Sequence, residues 1–413
     1  MALRQTTRRW EDMPPTKASG RGQRGIIVRV VVACVALLAL LHTAVLLGWV
    51  VMHALLGDSR WWSFLLDTFA LYLFIPLALI VPLAIVVRSY LLRACALFGA
   101  ILFLITYGGL FVPPAWRPIP PASAPRLTAM TFNVHVSNTN PDGVVATIRR
   151  ARADLVGLQE VGPAVAQALH RDLSDLYPYQ VTNVTSTSSG AVILSRYPLR
   201  PTKITLPGEW NDPPLVARLR FAGATVTVLD AHPVSTLLTR GEIRVETRQR
   251  AYTVHVIADF VRAQQDPVLV LSDFNAGDQS TPYDIVTRVL GDAWREKGVG
   301  FGHTFPGDKS FDDTRPRVRD WFIPQWLVRI DYVFHSRQWQ TVDTRIGPWG
   351  GVSDHRPVLA TLALTSYPDA HASRRIYGRF HAARPTHQRA GERNARNFPR
   401  LPPRHATTES SRA

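Results

Sequence analysis

Eight polar side chains in this 413-residue chain stand where apolar runs begin or end. Asn133 follows "LTAMTF", Glu160 follows "LVGLQ", and His232 closes "ATVTVLDA". Asp273 and Asn275 sit in "LSDFNA", Asp331 opens "DYVFHS", and Asp354 and His355 precede "RPVLATLAL". Taken singly, each has a plain reading as a cap, a turn residue or a strand terminator. Their shared placement is what joins them, because strand ends can gather in one crevice. Carboxylates without thiolates select a hard, oxygen-loving cation such as Mg2+ or Mn2+. Histidines beside them suit proton transfer or the stabilisation of a charged transition state. Phosphate-ester hydrolysis needs this set: a cation to neutralise charge, a base for water, and donors for the phosphoryl oxygens. On an extended chain Asp273 and Asn275 would share one face and Phe274 would take the other.

The elements that must position these groups follow from short apolar or β-branched runs separated by turns. Strands are expected at "LTAMTFNV", "DLVGLQEV", "GAVILSRY", "VARLRFAG", "ATVTVLDAHP", "PVLVLSDFN", "IDYVFHS" and "RPVLATLAL". Helices are expected at 142–153, 163–173, 240–264 and 281–290. Many strands with few helices imply a sheet-rich α/β layered fold. The chain's two cysteines, Cys34 and Cys95, both lie before this region, so it carries no disulfide and no thiolate metal site.

Residues 26–112 are of a different kind. Three apolar stretches, Ile26–Leu56, Trp61–Val87 and Ala94–Val112, are each long enough to cross a bilayer, which takes roughly 20 residues. The first is too long for a cleaved signal region. Asp67, near one end of the second, is expected to reach the interface. Arginines concentrate before the first stretch and, as Arg88 and Arg93, between the second and third. That bias puts the N-terminus in the cytoplasm and everything after Val112 outside. The expected organisation is a basic cytoplasmic tail (1–25), three transmembrane helices (26–112), a Pro-rich linker (113–125) acting as a stiff spacer, a catalytic domain (126–368) and a disordered basic tail (369–413).

The net charge of +16 lies mostly in the two tails. Seven Lys/Arg against two acids precede residue 30, and ten Arg against two Glu follow residue 370, which leaves the folded region nearly neutral. Tight, salt-dependent duplex binding therefore lacks its main driving force.

The motifs "TFNVH", "LVGLQE", "GAVILSRYPL", "AHP", "LSDFNA", "RIDYVF" and "SDHRPV" together resemble the endonuclease/exonuclease/phosphatase superfamily of DNase I-like proteins, over about residues 126–366. The resemblance implies a four-layer α/β sandwich. It makes Glu160 the main metal ligand, with Asn133 and Asp354 completing or orienting the site. It further implies that Asp273 acts on the attacking water, Asn275 holds the phosphate, His355 pairs with Asp331 and faces the phosphoryl oxygens, and His232 stands opposite, stabilising the transition state or protonating the leaving group. The chain departs from some nucleases of the superfamily at His135, where they carry an acid, so a second metal position is not carried over.

The expectation is thus a membrane-embedded, Mg2+-dependent phosphoester hydrolase acting outside the cytoplasm. Its substrate could be nucleic acid, a phospholipid head group or a sugar phosphate, since fold does not choose among them. The sequence implies no protein partner. The alternative from another class is a non-catalytic membrane receptor or scaffold on the same fold, which loss of a metal ligand would favour; none is lost.

Overall fold

The structure, a computed structural model, describes residues 19–111, 119–235, 243–307, 317–318, 321–322 and 324–365. The tail before residue 19, residues 112–118 of the proline-rich stretch and everything from residue 366, including the expected basic tail, lie outside them.

The apolar region forms a bundle of helices α1 (Ser19–Leu56), α2 (Trp61–Thr68), α3 (Leu77–Val87) and α4 (Tyr90–Tyr107). Three spans in it, Ile26–Ser59, Ala70–Val87 and Tyr90–Leu110, are long and apolar enough to cross a membrane. The second expected span is not one continuous helix. Between α2 and α3 the chain runs through a 3-10 turn, Ala70–Phe74, and restarts at Pro76, which caps α3. Asp67 does not reach an interface either. It is buried, accepts the Trp49 indole N–H at 2.9 Å and lies 3.1 Å from His53 Nδ1. A charge-bearing group inside an apolar bundle keeps polar company for this reason.

Among the described residues, fourteen strands and five further helices make up the remainder. One sheet has the order β13–β14–β1–β2–β4–β3, with β1 Arg126–Asn133, β2 Leu155–Val161, β3 Tyr179–Thr182, β4 Gly190–Ser195, β13 Trp339–Ile346 and β14 Val358–Leu364. The other has the order β5–β6–β7–β8–β12–β9, with β5 Leu199–Pro201, β6 Trp210–Phe221, β7 Ala224–Pro233, β8 Val268–Asp273, β9 Gly291–Asp292 and β12 Asp331–His335. A small hairpin, β10 (Arg317–Val318) with β11 (Trp321–Phe322), stands apart.

Helices α5 (Pro141–Ala151) and α6 (Pro163–Leu173) cover the first sheet through Val144, Ile148 and Leu169. Helices α7 (Ile243–Arg262) and α8 (Thr281–Thr287) cover the second through Ile257 and Val286, and a short α9 (Ala293–Lys297) closes one edge. Between the sheets lies a third apolar layer that includes Leu127, Leu155, Val228 and Leu271. The result is a four-layer α/β sandwich preceded by three apolar spans. Helix α5 shows the local logic: the Asn140 side chain accepts from the Gly143 N–H, Pro141 occupies the first turn, and left-handed Arg152 ends it.

The bundle and the sandwich are in direct contact. Tyr72 donates to the Leu327 carbonyl at 2.8 Å, the Gly300 N–H to the Leu110 carbonyl at 2.8 Å, and the Asp58 N–H to the Thr281 hydroxyl at 3.1 Å.

Candidate active site

Alternation along the strands decides which side chains enter the space between the sheets. On β1, Leu127 and Ala129 pack there while Met130 and Phe132 face the helices, so Asn133 ends on the inter-sheet side. The same count puts His232 of β7, Asp273 of β8 and Asp331 of β12 into that space, in line with Val228, Leu271 and Val333. Asp331 is registered directly opposite Asp273 on the antiparallel neighbour.

Glu160 breaks the rule. Alternation would send it to the helix face, because Gln159 already points between the sheets, where it donates to Asp230 at 2.9 Å. An irregularity in the β2–β4 ladder between Leu158 and Val161, with Glu160 at φ 55°, swings its carboxylate into the crevice. A left-handed glutamate is strained backbone, of the kind that persists at functional sites.

Asn275 also departs from the extended-chain expectation. Strand β8 stops at Asp273, and Asn275 has φ 52°. Its N–H returns to Asp273 Oδ1 at 3.1 Å and its amide donates to the Pro233 carbonyl at 3.0 Å. A side-chain-closed turn, rather than strand alternation, therefore brings the two together. Phe274 does turn the other way and is fully buried, with its ring 5.9 Å from Tyr332 and 5.6 Å from Phe334.

The assembled groups interlock. Asn133 Nδ2 donates to Glu160 at 2.9 Å and to Asp273 at 2.8 Å, while its Oδ1 accepts the His135 N–H. His232 Nε2 lies 3.4 Å from Asp273 and 3.8 Å from Glu160. His355 Nδ1 sits 3.0 Å from Asp331, and its Nε2 3.7 Å from Asp273. Among the described residues two triads could each hold a cation, Glu160–His232–Asp273 and Asp273–Asp331–His355, the ligand atoms within each lying no more than 4.8 Å apart. Asp354 flanks the cluster next to His355, its Oδ1 3.5 Å from the Ser353 hydroxyl. The Glu160 side chain is 23 % exposed whereas those of His232 and Asp273 are each at 1 %, so the crevice opens to solvent at Glu160.

Burial opposes charge on both imidazoles, but their carboxylate neighbours outweigh it. Asp331 and Asp273 raise His355 to about 10. Asp212 and Asp273 likewise raise His232 well above the ordinary imidazole value. In return, and against the cost of burial, the histidines hold Asp273 down at about 2.

Several residues of the site were not anticipated. Asp212 on β6 is buried, lies 2.8 Å from His232 Nδ1 and accepts the Glu160 N–H at 2.9 Å, so one carboxylate orients both. Asn211 contacts the other imidazole nitrogen at 3.1 Å. The Thr304 hydroxyl accepts the N–H groups of Ile330 and Asp331, and Ser353 ties the Asn133 carbonyl to the His355 N–H. Behind them Asp230 is completely buried, which pushes its carboxyl well above the usual range. Asn211 and Asp212 stand in "EWNDPP", ahead of the expected strand "VARLRFAG", where no apolar run singles them out.

The sequence profile of the endonuclease/exonuclease/phosphatase family matches residues 130–355, which contain every one of these side chains. The chain belongs to that family. Among solved structures, truncated TDP2 of Caenorhabditis elegans is 19 % identical, covering 58 % of this chain and 98 % of its own, with a TM-score of 0.45. A family protein from Bacteroides vulgatus is 20 % identical over 58 % and 99 %, with a TM-score of 0.44. Sphingomyelinase C from Streptomyces griseocarneus is 21 % identical over 57 % and 99 %, with a TM-score of 0.41. A search of curated proteins finds no match. The family's members are phosphoester hydrolases.

Proposed function

We propose that the chain is a membrane-embedded, divalent-cation-dependent phosphoester hydrolase, with its catalytic domain (126–368) on the extracytoplasmic side. The observation that carries this reading is the convergence of Glu160, Asp273 and Asp331 with two histidines at one end of the sandwich. The donor set fits a cation: its carboxylates outnumber its imidazoles, it contains no thiol, and one carboxylate, Glu160, stands at the open side. Mg2+ or Mn2+ held by Glu160, with Asn133 and Asp354 completing or orienting the site, would neutralise charge on the phosphoryl oxygens.

Asn133 keeps Glu160 and Asp273 at a fixed separation through its two donated bonds. Asp273 orients the attacking water and accepts its proton, and Asn275 holds the phosphate beside it. His355, kept charged by Asp331, donates to a phosphoryl oxygen. His232 faces the same centre from the opposite side and protonates the departing oxygen, its orientation set by Asp212.

The test is hydrolysis of bis(p-nitrophenyl) phosphate and p-nitrophenyl phosphate by the full chain in detergent, with Mg2+, with Mn2+ and in excess EDTA. Metal-restored turnover of either ester supports the reading; no turnover under any condition removes it.

A further inference from the structure

The apolar bundle does more than tether the sandwich, because it is seated on the loops that carry the site. Three of the strands that supply the crevice belong to the second sheet, and each has its site-side loop braced by the bundle. Beyond β7, the Val234 carbonyl is held by Arg250, whose guanidinium lies 4.5 Å from the Phe64 ring centroid of α2. Beyond β8, a side chain at Gly277 would meet the Thr68 backbone at 3.7 Å, and Thr281 exchanges hydrogen bonds with Asp58. Ahead of β12, the Leu327 carbonyl accepts from Tyr72. The chain that leads to Thr304, the acceptor for the Asp331 N–H, is pinned as well: the Phe301 ring packs 5.1 Å from Phe111 and 5.9 Å from Tyr107.

Chain length sets how near this puts the chemistry. An extended chain advances at most about 3.5 Å per residue, so Gly277 lies within roughly 7 Å of Asn275, and Leu327 within roughly 14 Å of Asp331. The end of the bundle that makes these contacts carries exposed Trp61 and Trp62, with exposed Phe111 and Val299 beside Gly300. Amphipathic rings of this kind settle where hydrocarbon meets head groups. On the outer wall of the same end runs a groove of about 470 Å3 with an almost wholly apolar lining that includes Trp49, Met52, Leu55, Trp62, Leu66 and Leu73. Trp49 reaches from that groove to Asp67, and Asp67 borders the seam where the bundle meets Asp278 and Arg329.

We infer that the bundle holds the catalytic crevice at the membrane–water boundary, and that the substrate is a phosphoester carried by a bilayer lipid, its head group entering the crevice while its chains stay in the membrane. This deepens the proposed hydrolase and rests on it. The nearly neutral charge of the folded region agrees, since it offers no broad basic face to a nucleic-acid backbone.

The experiment uses the full chain reconstituted with Mg2+ into phosphatidylcholine vesicles containing long-chain phosphatidylglycerol or phosphatidic acid. Parallel arms supply monomeric dihexanoyl versions of both lipids, a single-stranded oligonucleotide, and bis(p-nitrophenyl) phosphate. Expected is hydrolysis of a long-chain lipid at least about tenfold faster than of its monomeric counterpart, with a rate that follows the lipid's mole fraction in the bilayer. Turnover of the nitrophenyl ester or the oligonucleotide without lipid turnover, or a monomeric lipid handled as fast as the embedded one, overturns the inference and leaves the hydrolase standing. Silence in every arm overturns both. A readout independent of catalysis is a fluorophore at V299C, which should be quenched by lipids spin-labelled at the head group; no quenching places the mouth away from the bilayer and sinks the inference.

Discussion

Asp212 and His232 stand opposite each other on β6 and β7, with Oδ2 2.8 Å from Nδ1, and both are shut away from solvent. A carboxylate in that position fixes the imidazole's tautomer and supports its charge. Asp212→Asn keeps the shape and removes the charge. Its kcat is expected to fall roughly 10²- to 10⁴-fold with little change in KM. An unchanged rate would make the pair a purely structural cross-strand contact.

Glu160 is the carboxylate at the open side of the cluster. Glu160→Gln should lower kcat/KM by about a hundredfold or more, and chelation should silence the wild-type chain until Mg2+ or Mn2+ is restored. Full activity in excess EDTA refutes the metal assignment.

The three consecutive residues Asp273, Phe274 and Asn275 should separate cleanly. Asp273→Asn is expected to reduce kcat chiefly and also to lower Tm, since it takes the carboxylate from the facing His232 and His355, whereas Asn275→Ala should impair both binding and turnover and lower Tm only slightly. Phe274→Ala, which empties a fully buried ring site, should destabilise by about 3–5 kcal/mol while sparing the rate per folded molecule. If Asp273→Asn melts the domain and leaves that rate intact, Asp273 is a turn residue.

Asp278 offers a pH test away from the chemistry. Burial would raise its carboxyl, but Arg295 at 2.9 Å and Arg329 at 3.2 Å outweigh it and hold the group below the ordinary aspartate value. A depressed folded-state value means stability that is present above the unfolded value and lost as pH falls through the lower, folded one. The wild-type Tm should therefore drop more steeply below about pH 4 than that of Asp278→Asn, which lacks the acid-sensitive contribution. Parallel Tm curves for the two would show that the ion pairs contribute nothing. At neutral pH the substitution takes a carboxylate from Arg295 and Arg329, of which Arg329 keeps Asp292 at 2.8 Å, and should cost about 1–3 kcal/mol.

Topology can be read with a reporter active only in the cytoplasm and fused after Ala413. The arginine bias before the first span and between the second and third predicts that it stays dark. A bright signal reverses the orientation.

Much of the framework was legible because it depends on local pattern. All eight expected strands form, and helices α5, α6 and α7 lie within a few residues of their expected positions. What escaped depended on long-range structure. Strand β6 begins at Trp210 rather than near Val216 because ladder irregularities at 210–212 and 212–215 accommodate two prolines, and this left Asp212 ahead of the expected strand. Edge strands such as β3, β5 and β9 are two to four residues long and carry too little periodicity to stand out. Glu160 could be singled out by type, but the left-handed backbone that aims it could not. The break in the second span was equally silent, since Phe69 to Ile75 is as apolar as its surroundings.

That break bears on how the bundle is completed. Helical backbone satisfies its own hydrogen bonds in lipid, whereas irregular backbone at membrane depth is tolerated only where protein or water covers it. At the 3-10 turn Ala70–Phe74, part of the cover comes from α1 and α4, through Trp49 and Tyr107. The Tyr72 hydroxyl instead finds its partner at Leu327, some 255 positions later. The cover of this turn is therefore shared between the bundle itself and the loop ahead of β12. The hydrogen-bonding needs of the apolar bundle and the placement of the loop ahead of Asp331 are thus met by one and the same contact.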